Sequence, residues 1–193
     1  MNDRELVKQV LSGNHNAFRF LVAKHQRLVM HIVGRIITQH DALEDTCQEV
    51  FIKVYKTLHS FRGQSKLSTW VATIAYNTAI SELRKQKRRN EVSYSHEPLL
   101  LNEKETSLSV AGVLERNEAR KHLTKLIETL PVHYRTVLTL YYLEEFSYKE
   151  IVEITGMPEG TIKSYLSRAR GILKSKIEKV VRLEQINIFE NHG

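Results

Sequence analysis

The stretch SYKEIVEITGMPEGTIKSYLSRAR, from Ser147 to Arg170, has the pattern of two short helices joined by a tight turn. Ser147 can cap the first helix, and Glu150 follows it at the spacing of a reciprocal capping box. Gly156 ends that helix, because a left-handed backbone costs glycine less than other residues. The second helix, expected from about residue 159 to residue 179, has apolar residues at helical spacing on its inner side: Ile162, Leu166, Ala169 and Leu173.

The opposite face of this second helix carries small polar and basic side chains, namely Lys163, Ser164, Ser167 and Arg168. Such a layout is typical of a helix-turn-helix, whose second helix can enter the major groove of DNA. An ordinary helical hairpin with a solvated basic face is the alternative. We favour DNA binding, because the turn chemistry and the basic face occur together.

The composition predicts an all-α protein. The chain of 193 residues has only eight glycines and three prolines, and runs that alternate apolar and polar residues are scarce. No apolar run approaches the roughly 20 residues that cross a bilayer, and the first ten residues lack the apolar segment of a signal peptide. The single cysteine, Cys47, excludes an internal disulfide. We therefore expect a cytoplasmic protein with no membrane insertion.

The net charge of +7 is unevenly distributed and suggests two domains. Residues 1–90 have a net charge of +8, residues 91–114 of −3 and residues 115–193 of +2. The first block favours a polyanionic partner. The middle block interrupts the helical periodicity and contains Pro98 among serines and glutamates, which is typical of a flexible linker. We predict a domain at 1–90, a linker at 91–114 and a domain at 115–193.

Helices are expected at about 3–11, at about 16–38 and from Asp41, where Glu44 would complete another capping pair. The face of this third helix opposite its apolar stripe is polar and acidic, with Asp45, Gln48 and Glu49. It is either a solvated face, with acids favoured near a helix N-terminus, or a docking surface for a basic protein partner. The residues alone leave both interpretations open. We expect His25, among the apolar residues of the second helix, to be a core or boundary histidine and not a metal ligand, because the sequence has no metal-ligand spacing such as HExxH.

The next segment combines aromatic, amide and basic side chains. A loop at 60–68 contains Phe61, Arg62 and Lys66, and a helix from about Thr69 places Trp70 and Asn77 near one flank. That helix runs into a segment, 84–89, in which five of six residues are basic. Such a combination suits unstacked bases and a phosphate backbone. A solvated cationic helix end with a core tryptophan is the alternative, and the chemistry of the residues leaves both open.

Catalytic patterns are missing from the sequence. The sequence contains no phosphate loop, no GxGxxG fingerprint, no GxSxG elbow and no HExxH zinc motif. We therefore expect no enzymatic activity, no catalytic residue, no cofactor and no metal.

Two blocks of the sequence together resemble a known family. The first block comprises DALEDTCQEVF from residue 41, FRGQSKLSTW from residue 61 and IAYNTAISELRKQKRR from residue 74. The second is LPVHYRTVLTLYYLEEFSYKEIVEITGMPEGTIKSYLSRAR from residue 130. They resemble regions 2 and 4 of the extracytoplasmic-function sigma factors, in the family's order and with a similar linker. The resemblance implies two small helical domains that bind core RNA polymerase and promoter DNA, and it implies an anti-sigma factor as a further partner.

The resemblance also implies roles for individual residues. The polymerase clamp would be contacted by Asp45, Gln48 and Glu49. The melted −10 strand would be held by Phe61, Arg62, Lys66, Trp70, Asn77, Arg84, Lys85 and Arg88. The −35 element would be read by Lys163, Ser164, Ser167 and Arg168. Two positions depart from the family pattern: Tyr165 stands where arginine is common, and Lys66–Leu67 replaces a small residue followed by an aromatic one. The rival function is a stand-alone helix-turn-helix transcriptional regulator.

Overall fold

The computed structural model describes residues 2–93 and 123–190, with side chains placed within 2–89 and 123–179. Every regular element in these two ranges is helical, which confirms the all-α prediction. A short 3-10 turn (Leu58–Ser60) follows α3, and a π-helical turn (Thr139–Leu143) follows α6. The helices are α1 (Asp3–Leu11), α2 (His15–Gly34), α3 (His40–Thr57), α4 (Leu67–Ser93), α5 (helical residues 123–128), α6 (Val132–Leu138), α7 (Tyr148–Thr155) and α8 (Glu159–Glu190).

The N-terminal domain consists of α1 to α4, and α2 lies at its centre in contact with the other three helices. Asn2 and Asn14 cap α1 and α2, since the side-chain oxygen of each accepts hydrogen bonds from backbone N–H groups of the first turn. The apolar stripes predicted for α2 and α3 do face inward. The buried core includes Leu21, Val29, Ile32, Val33, Val50, Val54, Val71 and Ala75.

His25 is buried in this domain, as predicted, with 4% of its surface exposed. Its Nε2 atom has no hydrogen-bond partner. Burial and the positive charge of Lys24 lower the pKa of His25 to about 4, although Asp3 opposes the shift. The ring is therefore a neutral core side chain at physiological pH.

The boundaries of several helices differ from the sequence prediction, and α8 continues to Glu190 instead of ending near residue 179. Helix α2 ends at Gly34 instead of near residue 38, yet Ile36 and Ile37 beyond it are still buried. The capping pair predicted for Asp41 and Glu44 is wrong. Helix α3 begins at His40, so its N-cap is Gln39, and no side chain bonds there. The N-cap lies two residues before Asp41, so Asp41 is inside the first turn. Its carboxylate there interacts favourably with the helix dipole but cannot serve as the cap.

The C-terminal domain contains the predicted helix-turn-helix, formed by α7 and α8. Ser147 and Glu150 form the reciprocal capping box: the Glu150 carboxylate accepts from the Ser147 N–H at 2.9 Å, and the Ser147 hydroxyl accepts from the Glu150 N–H at 3.4 Å. Gly156 has the left-handed backbone expected of it, with φ of 70°. The inner face of α8 is buried through Ile162, Leu166 and Ala169.

The two domains pack against each other. Helix α7 contacts α4, and α2 contacts the π-helical turn after α6. Most of the predicted linker, from residue 94 onward, lies outside the described residues, but α4 continues as a helix through residues 91–93, which were expected to be linker. Within the described ranges, none of the helices combines the length and apolar character required of a membrane span.

Candidate polymerase and nucleic-acid interfaces

The first turns of α8 separate an inner apolar face from an outer polar one. Lys163, Ser167 and Arg168 are exposed, and Ser164 is half-buried. The left-handed turn at Gly156 separates α7 from α8, and these four side chains lie on the outer face of α8, opposite its buried residues. The geometry is that of a recognition helix available to duplex DNA.

Lys163 is held in place by two neighbours. Its Nζ atom lies 2.7 Å from a carboxylate oxygen of Glu159 and 5.3 Å from the centre of the Tyr148 ring. The hydrogen bond from Lys163 to Glu159, together with the charge of that carboxylate, raises the pKa of Lys163. The lysine is thus a permanent cation at the start of the recognition helix.

Tyr165, which departs from the family pattern, packs within its own domain. Its ring is half-buried, with the ring centre 5.1 Å from that of Tyr134 in an edge-on arrangement and 6.1 Å from that of His133. The tyrosine therefore supports α6 against α8. This position adds no cation to the recognition face.

The −10 candidates gather on α4 and the loop before it. Trp70, Asn77, Arg84 and Arg88 follow one another at intervals of seven, seven and four residues, so they form one stripe along the helix. Asn77 and both arginines are exposed, and Trp70 is half-buried. We call these four residues the α4 stripe.

The loop at the start of the stripe holds three of the four remaining −10 candidates, namely Phe61, Arg62 and Lys66. The half-buried Phe61 ring is centred 5.6 Å from that of Trp70, so the two aromatic side chains pack against each other. Arg62 and Lys66 are exposed. Lys85 lies apart: its Nζ atom is 3.5 Å from Glu82, and its charge helps to lower the pKa of Glu49 on α3.

On α3, Asp45 and Gln48 are exposed side by side, whereas Glu49 is turned toward α4. A Glu49 carboxylate oxygen lies 2.8 Å from Lys53 Nζ, which also donates to the Thr78 hydroxyl of α4 at 3.3 Å. The hydrogen bond from Lys53 is the main cause that lowers the pKa of Glu49. Glu49 is therefore paired with the lysine that joins α3 to α4, and it lies at the edge of the polar face.

Two apolar residues belong to this face and were missed in the sequence. Ile52 is 53% exposed and Tyr55 is 49% exposed. They continue the ridge of Asp45 and Gln48 at intervals of four and three residues. That spacing could have revealed them, but apolar residues on a helix are first assigned to the core. We call the ridge formed by Asp45, Gln48, Ile52 and Tyr55 the α3 ridge. It is amphipathic and not purely polar.

Lys66 and Thr69 contact the other domain. Lys66 Nζ lies 3.0 Å from Glu150 Oε1, and the Thr69 hydroxyl donates to the same oxygen at 3.3 Å. Burial alone would raise the pKa of Glu150, but hydrogen bonds from Ser147 and Lys66, with the charge of Lys66, lower that pKa to about 2. The capping glutamate of α7 is thus ionised and bonded to Lys66 in the loop before α4 and to Thr69 in α4.

Comparison with known families identifies both domains. The family Sigma-70 region 2 matches residues 21–89, and the family Sigma-70, region 4 matches residues 120–173. The chain belongs to the extracytoplasmic-function sigma factors. Among its relatives, the ECF RNA polymerase sigma-E factor of Escherichia coli K12 is 36% identical over 188 residues, covering 94% of this chain and 97% of the relative. That of Haemophilus influenzae is 34% identical over 190 residues, covering 94% and 98%.

Solved structures agree with this assignment. The sigma factor RpoE in complex with the anti-sigma factor NepR, from Bartonella quintana, is similar with a TM-score of 0.64 and 25% identity, covering 83% of this chain and 96% of that one. CnrH in complex with the cytosolic domain of CnrY shares the fold, with a TM-score of 0.64 and 20% identity, covering 92% and 97%. This protein is therefore a sigma factor that directs transcription initiation.

Proposed function

We propose that this sigma factor uses three separate surfaces to bind core RNA polymerase, the −10 strand and the −35 element. The α3 ridge, with Glu49 at its edge, docks on core RNA polymerase, the α4 stripe and its loop hold the −10 strand, and the outer face of α8 reads the −35 element. The domains responsible are 1–90 and 115–193, joined by the linker at 91–114. The observation that carries the proposal is the α4 stripe, because an aromatic ring, an amide and two guanidinium groups in line fit a single strand better than a duplex.

Promoter melting follows from binding energy alone in this arrangement. Stacking of a base on an aromatic side chain contributes roughly 1–3 kcal/mol, which is comparable with the few kcal/mol needed to unstack a base. Phe61 and Trp70 provide the rings, Asn77 can hydrogen-bond a base edge, and Arg84 and Arg88 can follow the phosphates. Promoter melting by this route needs no nucleotide hydrolysis by this chain and no catalytic group. We therefore propose a non-enzymatic function without a cofactor.

Reading of the −35 duplex rests on α8. Arg168 is exposed, and its guanidinium can make a bidentate contact to guanine. Such a contact discriminates against a wrong base by about 1–3 kcal/mol. Lys163, already oriented by Glu159 and Tyr148, can contact a phosphate or a base edge. Ser164 and Ser167 are short enough to let the helix approach the groove closely.

The remaining partners follow from the relatives. The RpoE structure was solved with an anti-sigma factor, and we extend this partnership to the present chain, with the cytoplasm as its location. A stand-alone helix-turn-helix regulator is the weaker alternative, because the Sigma-70 region 2 match covers most of the N-terminal domain, which such a regulator does not need.

Reconstituted transcription tests the proposal. The purified chain is added to bacterial core RNA polymerase, and run-off transcripts are measured on promoters with matched and altered −35 elements. Arg168→Ala should lose about 1–3 kcal/mol of preference for the matched element. Lys174→Ala is the control, because it removes an exposed cation from the same helix beyond the recognition face. Equal preference in parent and Arg168→Ala would contradict the assignment of α8.

A further inference from the structure

Helix α1 contacts the segment before α4 at its start, in its middle and at its end. We call residues 61–66, between the 3-10 turn and α4, the capture loop, because they are proposed to hold a −10 base. Three buried side chains fix α1 on the core of the N-terminal domain, namely Leu6, Val7 and Val10. From this position α1 contacts the 3-10 turn before the loop, Gly63 within the loop and Leu67 directly after it. One short helix therefore spans the whole capture loop.

The middle of the capture loop lies against Arg4. Gly63 has a positive φ of 69°, a conformation that favours glycine. A Cβ atom added at Gly63 would lie 3.6 Å from Arg4 Nε and 4.0 Å from Arg4 Nη2. Because the guanidinium fills the space on this side of the loop, the backbone at Gly63 cannot move toward α1 unless Arg4 moves first.

The end of the capture loop lies against Asp3. Helix α4 begins at Leu67, and a helical hydrogen bond runs from the Trp70 N–H to the Lys66 carbonyl oxygen at 3.1 Å. Lys66 thus occupies the N-cap position, where its side chain can donate but cannot accept a hydrogen bond. The N–H groups of the first turn need acceptors from elsewhere. The Asp3 carboxylate is such an acceptor for the N–H of Leu67.

Asp3 is itself held in place by α2. Its Oδ1 atom lies 2.6 Å from Lys24 Nζ. Burial raises the pKa of Asp3, but the hydrogen bond and charge of Lys24, together with the backbone N–H of Leu67, lower this pKa overall. An ionised carboxylate is also favoured at the start of a helix, where the helix dipole is positive. Asp3 therefore links α1 to both α2 and α4.

From these contacts we propose that α1 is part of the −10 binding module, with Asp3 and Arg4 as positioning residues that hold the capture loop in the conformation that binds a base. Asp3 fixes the end of the loop, and Arg4 fixes its middle. Neither side chain needs to touch DNA for this role. The inference rests on the proposed function of the loop in −10 binding.

The aromatic pair beside the loop explains why its conformation matters. The Phe61 ring is centred 5.6 Å from that of Trp70. Phe61 belongs to the capture loop and Trp70 belongs to α4, so the geometry of the pair depends on the path of the chain between them. A loop that is already ordered loses less conformational entropy when a base binds. Fixing the loop from α1 therefore favours capture of a base.

The first test uses Trp70, the single tryptophan of the chain, as a reporter of the loop. Acrylamide quenching of its fluorescence measures the access of solvent to the ring that Phe61 covers. Asp3→Ala and Arg4→Ala should each raise the quenching constant, because a released loop no longer holds Phe61 on Trp70. Circular dichroism should stay at the level of the parent, since the apolar face of α1 is unchanged.

Two matched controls remove charges of the same sign from the same helix. Glu5→Ala changes the other acid of the first turn, and Lys8→Ala changes an exposed cation one turn after Arg4. Asp3→Asn is a milder variant, because its amide can still accept a hydrogen bond but carries no charge; it replaces Asp3→Ala if the latter loses helical content. Quenching equal to that of the controls in Arg4→Ala and in both Asp3 variants would overturn the positioning role.

A second test asks whether Asp3 acts through the capture loop. Run-off transcription is measured with core RNA polymerase on the matched promoter. Asp3→Ala should lower the transcript on the order of tenfold, as for the loss of one hydrogen bond to a charged group. Adding Phe61→Ala should cause little further loss, because both changes disable the same loop. Adding Arg168→Ala, on the separate −35 surface, should multiply the two losses. Multiplied losses with Phe61→Ala would overturn the inference.

The outcomes separate this inference from the proposed function. If Phe61→Ala transcribes as well as the parent while quenching rises in the α1 variants, α1 holds the loop but the loop captures no base, and the proposed function fails. If Phe61→Ala transcribes poorly while quenching is unchanged in the α1 variants, only the positioning role fails. A loss of transcription in Arg4→Ala without a change in quenching would also overturn that role, because Arg4 would then contact DNA directly.

Discussion

The turn of the helix-turn-helix depends on a single backbone angle, and Gly156→Ala tests it. A Cβ atom added at Gly156 would meet nothing within 4 Å, so the substitution causes no steric clash. Its cost comes from the positive φ of 70°, which disfavours an L-residue by roughly 1–2 kcal/mol. The lower entropy of the unfolded chain offsets about 0.4–1 kcal/mol of this. We expect the free energy of unfolding to fall by about 1 kcal/mol, the difference of these two values.

Gly171→Ala is the matched control for this prediction. Gly171 lies inside α8, its added Cβ would also meet nothing within 4 Å, and its φ is not positive. Alanine in a helix interior is more stable than glycine by roughly 0.5–1 kcal/mol, so the same chemical change should have the opposite sign. Urea denaturation followed by circular dichroism gives both values, and hydrogen exchange of α7 gives the local effect. If both variants shift stability in the same direction, the explanation from backbone conformation is refuted.

Three further predictions concern docking, melting and pH. Asp45→Lys should greatly weaken holoenzyme formation in a gel-shift assay while circular dichroism stays unchanged; normal affinity would remove the α3 ridge from the interface. Asn77→Ala should assemble with polymerase but open the −10 region poorly in permanganate footprinting, with rescue on a pre-melted template; melting equal to the parent would exclude base capture by α4. His25 has a folded pKa of about 4, below that of the unfolded chain, so stability should fall as pH drops from 6.5 towards 4, by up to about 1.4 kcal/mol per pH unit. His25→Leu should remove this dependence in urea titrations, and an unchanged dependence would assign it to other groups.

The sequence predicted the candidate surfaces unequally well. The outer face of α8 was foreseen as a set, because helical periodicity alone separates Lys163 and Arg168 from the buried Ile162 and Leu166. The polar face of α3 was foreseen less well. Glu49 looks equivalent to its polar neighbours in sequence, but Lys53 holds it toward α4. The spacing of Ile52 from Gln48 was compatible with the exposed ridge, but its apolar side chain favoured the core, and the packing of α3 against α2 and α4 decided between the two.

What the sequence by itself determined is local. The capping box, the glycine turn and the inward stripe of α8 depend on residues within a few positions of each other, whose interactions any helical chain of this sequence would make. What only the tertiary structure decided is the contact between distant segments. The sequence predicts that Glu150 helps to cap α7, and the structure confirms it. The bond of Glu150 to Lys66, however, exists only because α7 packs on α4. No sequence period encodes such a pair, since it depends on the relative placement of two domains and not on the spacing of residues along one helix.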